Sequence, residues 1–171
     1  MTKATRCKII KFTLYFCITL LLYCLQTTPF LFEISGVKPM MAFAFVLCIA
    51  VYEGTLMGGV FGFICGILCD FSSEMIFGAN ALICFLFCVG AALLMIYLVR
   101  KNVWTVTLTV TVAMLGRAVI EYYFKYGMWN YEGTGFVLWG RLIPVAIYSV
   151  VFVFGFYPLV GLIKRRLDVE I

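Results

Sequence analysis

Apolar residues run along this chain in long blocks separated by short polar stretches. The first block, Phe12 to Phe32, has 21 residues, with Gln26, Thr27 and Thr28 near its end. At about 1.5 Å per helical residue it covers the roughly 30 Å hydrocarbon core of a bilayer. Its Lys-rich start has the look of a signal peptide, but the run is long and no A-x-A-like site follows. It is read as an uncleaved first transmembrane helix. Glu33 to Lys38 forms a polar loop containing Gly36, and Pro39 suits the opening of a second helix. Met40 to Cys69 is then apolar throughout, apart from an interruption at Tyr52-Glu53-Gly54. This stretch is too long for one straight span and short for two. Three further blocks follow, Ile76–Val99, Val103–Phe124 and Gly140–Ile163.

Charge decides the span count. Lys3, Arg6, Lys8 and Lys11 cluster at the start, Arg100 and Lys101 in the middle, and Lys164, Arg165 and Arg166 near the end. If Met40–Cys69 is two helices, all three clusters fall on one side of the membrane, which the positive-inside rule makes cytoplasmic. If it is one helix, the two later clusters face outward. The prediction is therefore an all-α integral membrane protein with six transmembrane helices and both termini cytoplasmic. The spans lie at about 12–32, 39–52, 54–69, 76–99, 103–124 and 140–163 of a single polytopic membrane domain, residues 1–171. Helices two and three form a tight hairpin turning near Glu53. Composition agrees: 65% of residues are apolar and 12% charged, against about 45–50% and 25% in soluble domains. A soluble enzyme, a disordered chain and a nucleic-acid-binding domain are all excluded on this ground.

A few residues stand out from the apolar background. Gly54, Gly58, Gly62 and Gly66 recur every fourth position, which places them on one helix face and lets another backbone approach closely. The neighbouring helix can belong to this chain or to a partner. Asp70 continues the ladder by one more step. At a helix C-terminus its charge opposes the macrodipole, so it caps or pairs locally, with Arg141 or Lys38 as candidate cations. Arg117 and Glu121, at i and i+4 in the fifth span, form a candidate intramembrane ion pair. Trp129, Tyr131 and Trp139 crowd the outer interface, where aromatic side chains anchor or dock a partner.

Catalytic and cofactor chemistry has little to stand on. The chain has no His, so the commonest general base is missing. Its eight Cys include no C-x-x-C, and six lie inside apolar runs, where cysteine acts as a small packing residue. The sequence predicts no enzyme, no cofactor and no metal.

Several of these residues together resemble the rod-shape-determining protein family MreD. They are Leu25-Gln26 with Pro29 after them, Lys38-Pro39, and the run Gly54, Gly58, Gly62, Phe63, Gly66, Leu68 and Asp70 followed by Gly78. The resemblance implies a fold similar to the six-helix substrate-binding subunits of energy-coupling-factor transporters. It also implies a non-enzymatic scaffold of the bacterial cell-wall elongation machinery in the cytoplasmic membrane. Such a protein binds an MreC-like bitopic partner and links the MreB-like cytoskeleton with peptidoglycan synthases. The other class in view is a substrate-binding membrane subunit of a vitamin or metal transporter. That reading needs a pocket with converging polar groups, and the first helix lacks an Ala-x-x-x-Ala contact for a coupling helix.

Overall fold

The computed structural model describes residues 3–28, 38–73, 76–97, 102–124 and 143–168. Among them are six helices: α1 (Lys3–Thr27), α2 (Met41–Glu53), α3 (Thr55–Phe71), α4 (Ala79–Tyr97), α5 (Val103–Tyr122) and α6 (Ile143–Asp168). Four are long and apolar enough to cross a membrane: α1 over Arg6–Thr27, α4, α5, and α6 over Tyr148–Arg166. The other two, α2 and α3, are shorter apolar helices.

The short α2 is the axis of the bundle. Every residue from Met41 to Val51 is buried, with α1, α3, α4, α5 and α6 all packed around it. A helix that is apolar on every side must be buried, and here protein rather than lipid covers it. That explains its length. Its 13 residues extend about 20 Å, well short of the roughly 30 Å hydrocarbon core. A helix sheathed by longer neighbours has no lipid boundary to match. Aromatic side chains tie the sheath to the axis. Phe45 meets Phe156 of α6 at 5.6 Å and Tyr15 of α1 at 6.4 Å between ring centroids.

Gly54 separates α2 from α3 at φ +96° and ψ −172°, a backbone region essentially reserved for glycine. Its N–H closes α2 on the Ala50 carbonyl, and its own carbonyl accepts the Gly58 N–H that opens α3. After the turn, α3 runs back along α2 with two distinct faces. Gly58, Phe61, Gly62, Cys65, Gly66 and Cys69 are buried, while Leu56, Val60 and Phe63 are exposed. This period is that of an amphipathic surface helix, with lipid in place of water.

Polar contacts define two ends of the bundle. At one lie the start of α1, the Gly54 turn and the end of α6, joined by Lys11 to Glu53 and by Lys164 to the Tyr52 carbonyl. At the other, Gln26 at the end of α1 accepts the Ala42 N–H, and Ser149 of α6 accepts the Met40 N–H.

Among the boundaries that differ from the sequence expectation, those at the start of α1 and of α2 have a clear physical cause. The first helix begins at Lys3 rather than Phe12, because good helix formers fill the cationic stretch and Lys11 is buried against an acid. Pro39 does not open α2. The helix starts at Met41, and the Met40 N–H goes sideways to α6.

Candidate functional site

Polar side chains gather in two buried clusters, one at each end. The larger is built where α3 leaves off and α4 begins. Asp70 is 5% exposed, and its carboxylate accepts the backbone N–H groups of Gly78 (3.0 Å), Asn80 (3.1 Å) and Ala81 (3.2 Å). The Ala79 N–H donates to the Ile76 carbonyl, and the Leu82 N–H starts the intrahelical ladder on the Gly78 carbonyl. Every N–H of α4's first turn is thereby accounted for. The dipole of α3 opposes a carboxylate at Asp70, but the start of α4 favours it and supplies the donors.

Gly66 makes this closeness possible. A Cβ there would lie 2.3 Å from the Ala81 Cα and 2.6 Å from the Asn80 carbonyl oxygen. Gly78, at φ +95°, lets the connection turn sharply enough for α4's first N–H groups to face back on Asp70.

Asn80 carries the cluster on to α5. Its Nδ2 donates to Ser73 Oγ at 2.9 Å, and its Oδ1 accepts from Arg117 Nη2 at 3.2 Å. The Arg117 guanidinium lies over the Phe43 ring of α2, 5.0 Å from its centroid. A cation over an aromatic face in a desolvated setting is stabilised by about 2 kcal/mol. Arg117 therefore clamps α5 to α4 and α2. Its hydrogen bond runs to Asn80 and not to Glu121, while Nε and Nη1 have no hydrogen-bond partner. Arg117 thus makes a contact between helices, since Asn80 and Phe43 lie on the buried side of α5, while half-buried Glu121 follows one turn later on the same helix.

At the opposite end Glu53 accepts from Lys11 Nζ at 2.8 Å and from the Tyr15 hydroxyl at 3.1 Å. Both charged side chains are about nine-tenths buried. Lys164 Nζ donates to the Tyr52 carbonyl at 2.6 Å, and the Tyr52 ring meets that of Tyr157 at 5.0 Å. The short α2 is thus tied at its last turn to α1 and α6. Glu53→Gln is expected to lower stability by about 2 kcal/mol, the worth of a hydrogen bond to a charged group. Lys11, near the bundle's end, limits the loss by snorkelling. Thermal unfolding in detergent measures the shift. Adding Lys11→Met should recover most of it, because no uncompensated charge then remains. An unshifted midpoint for the single variant would show that the pair contributes nothing.

The glycine ladder does not present one free face. Gly54 is the turn. A Cβ on Gly58 would meet Ala50 of α2 at 2.5 Å, and one on Gly62 would meet Cys88 of α4 at 2.9 Å. With Gly66 against Ala81, the three helical glycines are spent on contacts within the chain, so a partner's helix has no access to them. Cys65, Cys69, Cys84 and Cys88 are buried in the same α3–α4 seam. Among the described residues no group of three His, Cys, Asp or Glu side chains is placed to hold a metal. Trp129, Tyr131, Trp139 and Arg141 lie outside the described residues.

Sequence reasoning missed Asn80, Lys11 and Tyr15. A lone acid in the middle of a thirty-residue apolar run, as Glu53 is, signals a buried partner, and Lys11 is the nearby cation long enough to reach it.

Six apolar helices whose buried charges bind helix to helix define a polytopic membrane protein of structural type. The family model for the rod shape-determining protein MreD matches residues 6–167, nearly the whole chain. The protein belongs to this family, whose members are membrane proteins tied to cell shape. No curated protein and no solved structure matches the chain, so the expected likeness to energy-coupling-factor subunits has no comparison behind it.

Proposed function

We propose that the protein is a non-enzymatic scaffold of the cell-wall elongation machinery and that it binds an MreC-like bitopic partner in the cytoplasmic membrane. The observation that carries this reading is the family match over residues 6–167. The use of Asp70, Asn80, Glu53 and Lys11 as helix-to-helix ties supports it. Lys8, Lys11, Lys164, Arg165 and Arg166 lie at the end of the bundle that holds the start of α1 and the end of α6. The positive-inside rule makes that end cytoplasmic. Through the bitopic partner the scaffold links an MreB-like filament inside to the synthases outside.

With the inner face of α3 closed, the partner's helix packs on its outer face, where Leu56, Val60 and Phe63 are exposed (78%, 39% and 46%). The test is capture of a purified MreC-like protein by the detergent-solubilised chain. Leu56→Ala with Phe63→Ala should cut capture at least tenfold and leave the unfolding midpoint unchanged. Undiminished capture by that variant overturns the α3 face, and no capture by the unaltered chain overturns the partner assignment itself.

A further inference from the structure

The outward side of α6 carries two residues that a helix facing lipid alone has no use for. The inner stripe of α6, with Ser149, Val153 and Val160, is buried against the bundle. On the opposite stripe Val151, Phe154, Leu159 and Leu162 are 40–62% exposed, and Gly155 and Pro158 are exposed among them. Both glycine and proline are unfavourable inside a helix. For Gly161 the reason is internal, because a Cβ there would lie 3.0 Å from the Tyr52 hydroxyl oxygen. A Cβ on Gly155 would meet no atom within 4 Å, so no described neighbour requires a glycine there.

Pro158 lies inside the helix and has a second consequence. It has no N–H, so the Phe154 carbonyl four residues earlier loses its helical donor. The side chains beside that carbonyl, Val151, Gly155, Pro158 and Leu159, carry no donor either. Phe154 is ten residues before Lys164, about 15 Å along the helix, and Lys164 sits at the Glu53 end of the bundle. The carbonyl is therefore near the middle of a hydrocarbon core roughly 30 Å thick, where neither water nor an acyl chain offers a hydrogen bond.

We propose that this face of α6 is the docking site for a transmembrane helix of another protein, one with a hydroxyl or carboxamide donor (Ser, Thr, Asn or Gln) near the middle of its span. Gly155 lets that helix approach closely, and its donor takes the Phe154 carbonyl. Close packing on small residues and hydrogen bonds between helices are what drive association in lipid. A second copy of this chain does not meet the requirement. A twofold axis would set the face against itself, carbonyl beside carbonyl, with no side-chain donor on either. The site is also separate from the outer face of α3. Around α2, α6 packs on α1 and α5, whereas α3 packs on α1 and α4, so one partner helix does not cover both faces.

The test uses the full chain in phosphatidylcholine vesicles, with energy transfer to a labelled peptide as the readout. The probe is a Leu-rich transmembrane peptide of about 20 residues with one central Asn, and the control has Leu in place of that Asn. The Asn peptide should bind at least tenfold more tightly. Gly155→Leu fills the notch without meeting any described atom. It should weaken binding at least tenfold and leave the unfolding midpoint in place. Pro158→Ala returns an N–H to the Phe154 carbonyl and should abolish the preference for the Asn peptide over the Leu peptide. Leu56→Ala with Phe63→Ala, on α3, should leave binding unchanged. Absent or equal binding of the two peptides leaves the face to lipid. A preference that survives Pro158→Ala removes the Phe154 carbonyl from the site, and undiminished binding by Gly155→Leu, or its loss in the α3 variant, places the peptide elsewhere. Energy transfer between two copies of the chain that Gly155→Leu abolishes makes the face a dimer interface. Each of these results overturns the proposal.

Discussion

Replacing Asp70 by Ala is expected to destabilise the protein by about 3–5 kcal/mol, as loss of one partner from a buried charged contact does. The carboxylate accepts three backbone N–H groups from the start of α4. Removing it leaves the buried amides of Asn80 and Ala81 without acceptors, at about 1–3 kcal/mol each. Asn80 and Ala81 are each 2% exposed, so their amides are shielded from bulk solvent. The damage also spreads, because Asn80 is held in place from its backbone while its side chain receives Arg117. Asp70→Asn keeps one acceptor oxygen but turns an NH₂ group toward N–H donors, so it should lose roughly half as much. Equilibrium unfolding in detergent gives both values, and amide exchange at Asn80 and Ala81 should quicken in step. A change below about 0.5 kcal/mol for Asp70→Ala, the scale of an ordinary surface substitution, would show that the cap holds nothing.

The difference between what could be read from the sequence and what could not follows from the range of the interactions. The six helices were legible because they depend on local apolar runs and on the side of the membrane where Lys and Arg collect. The break at Glu53-Gly54 was legible for the same reason. The complete burial of α2 was not. Its uniform apolarity fits a lipid-facing helix as well as an enclosed one, and only the packing of five neighbours distinguishes them. Its 13-residue length was the available hint, since a helix in contact with lipid has to match the bilayer's thickness.

Asp70 shows the limit most clearly. Within α3 alone its charge opposes the helix dipole, and reading it there led to Lys38 and Arg141 as partners. Its donors belong to the next helix, beyond a turn whose shape depends on Gly78 at φ +95°. An acid at the end of one helix, followed by a glycine just before the next, is the signal that finds it. Arg117 was read by i, i+4 spacing, a rule of isolated helix surfaces. On a buried face, neighbours from other helices also reach the guanidinium, and here Asn80 and Phe43 do so.

Gly66→Ala should be nearly as damaging as loss of the cap, although it adds a single methyl group. The new Cβ would lie 2.3 Å from the Ala81 Cα, 2.6 Å from the Asn80 oxygen and 2.7 Å from the Ala81 nitrogen. These are backbone atoms and cannot turn aside as a side chain can. Ordinary contact begins at 3.4 Å, so α3 and α4 must move apart by about 1 Å. Overpacking of this kind costs about 1–3 kcal/mol. The separation also draws Asp70 away from N–H groups that it now holds at 3.0–3.2 Å, so part of the cap is lost as well, and a total of about 4 kcal/mol is expected. Gly90→Ala is the control: its Cβ meets no atom within 4 Å, and better helix propensity should leave it neutral or stabilising by up to about 1 kcal/mol. Because Gly66→Ala acts partly through Asp70, the two substitutions share a loss. The double variant Gly66→Ala with Asp70→Ala should fall short of the sum by about 1–2 kcal/mol, a coupling typical of residues in one network. Additivity within about 0.5 kcal/mol would mean that the glycine and the carboxylate act independently, and that the close approach of α3 and α4 is not what places Asp70 on the start of α4.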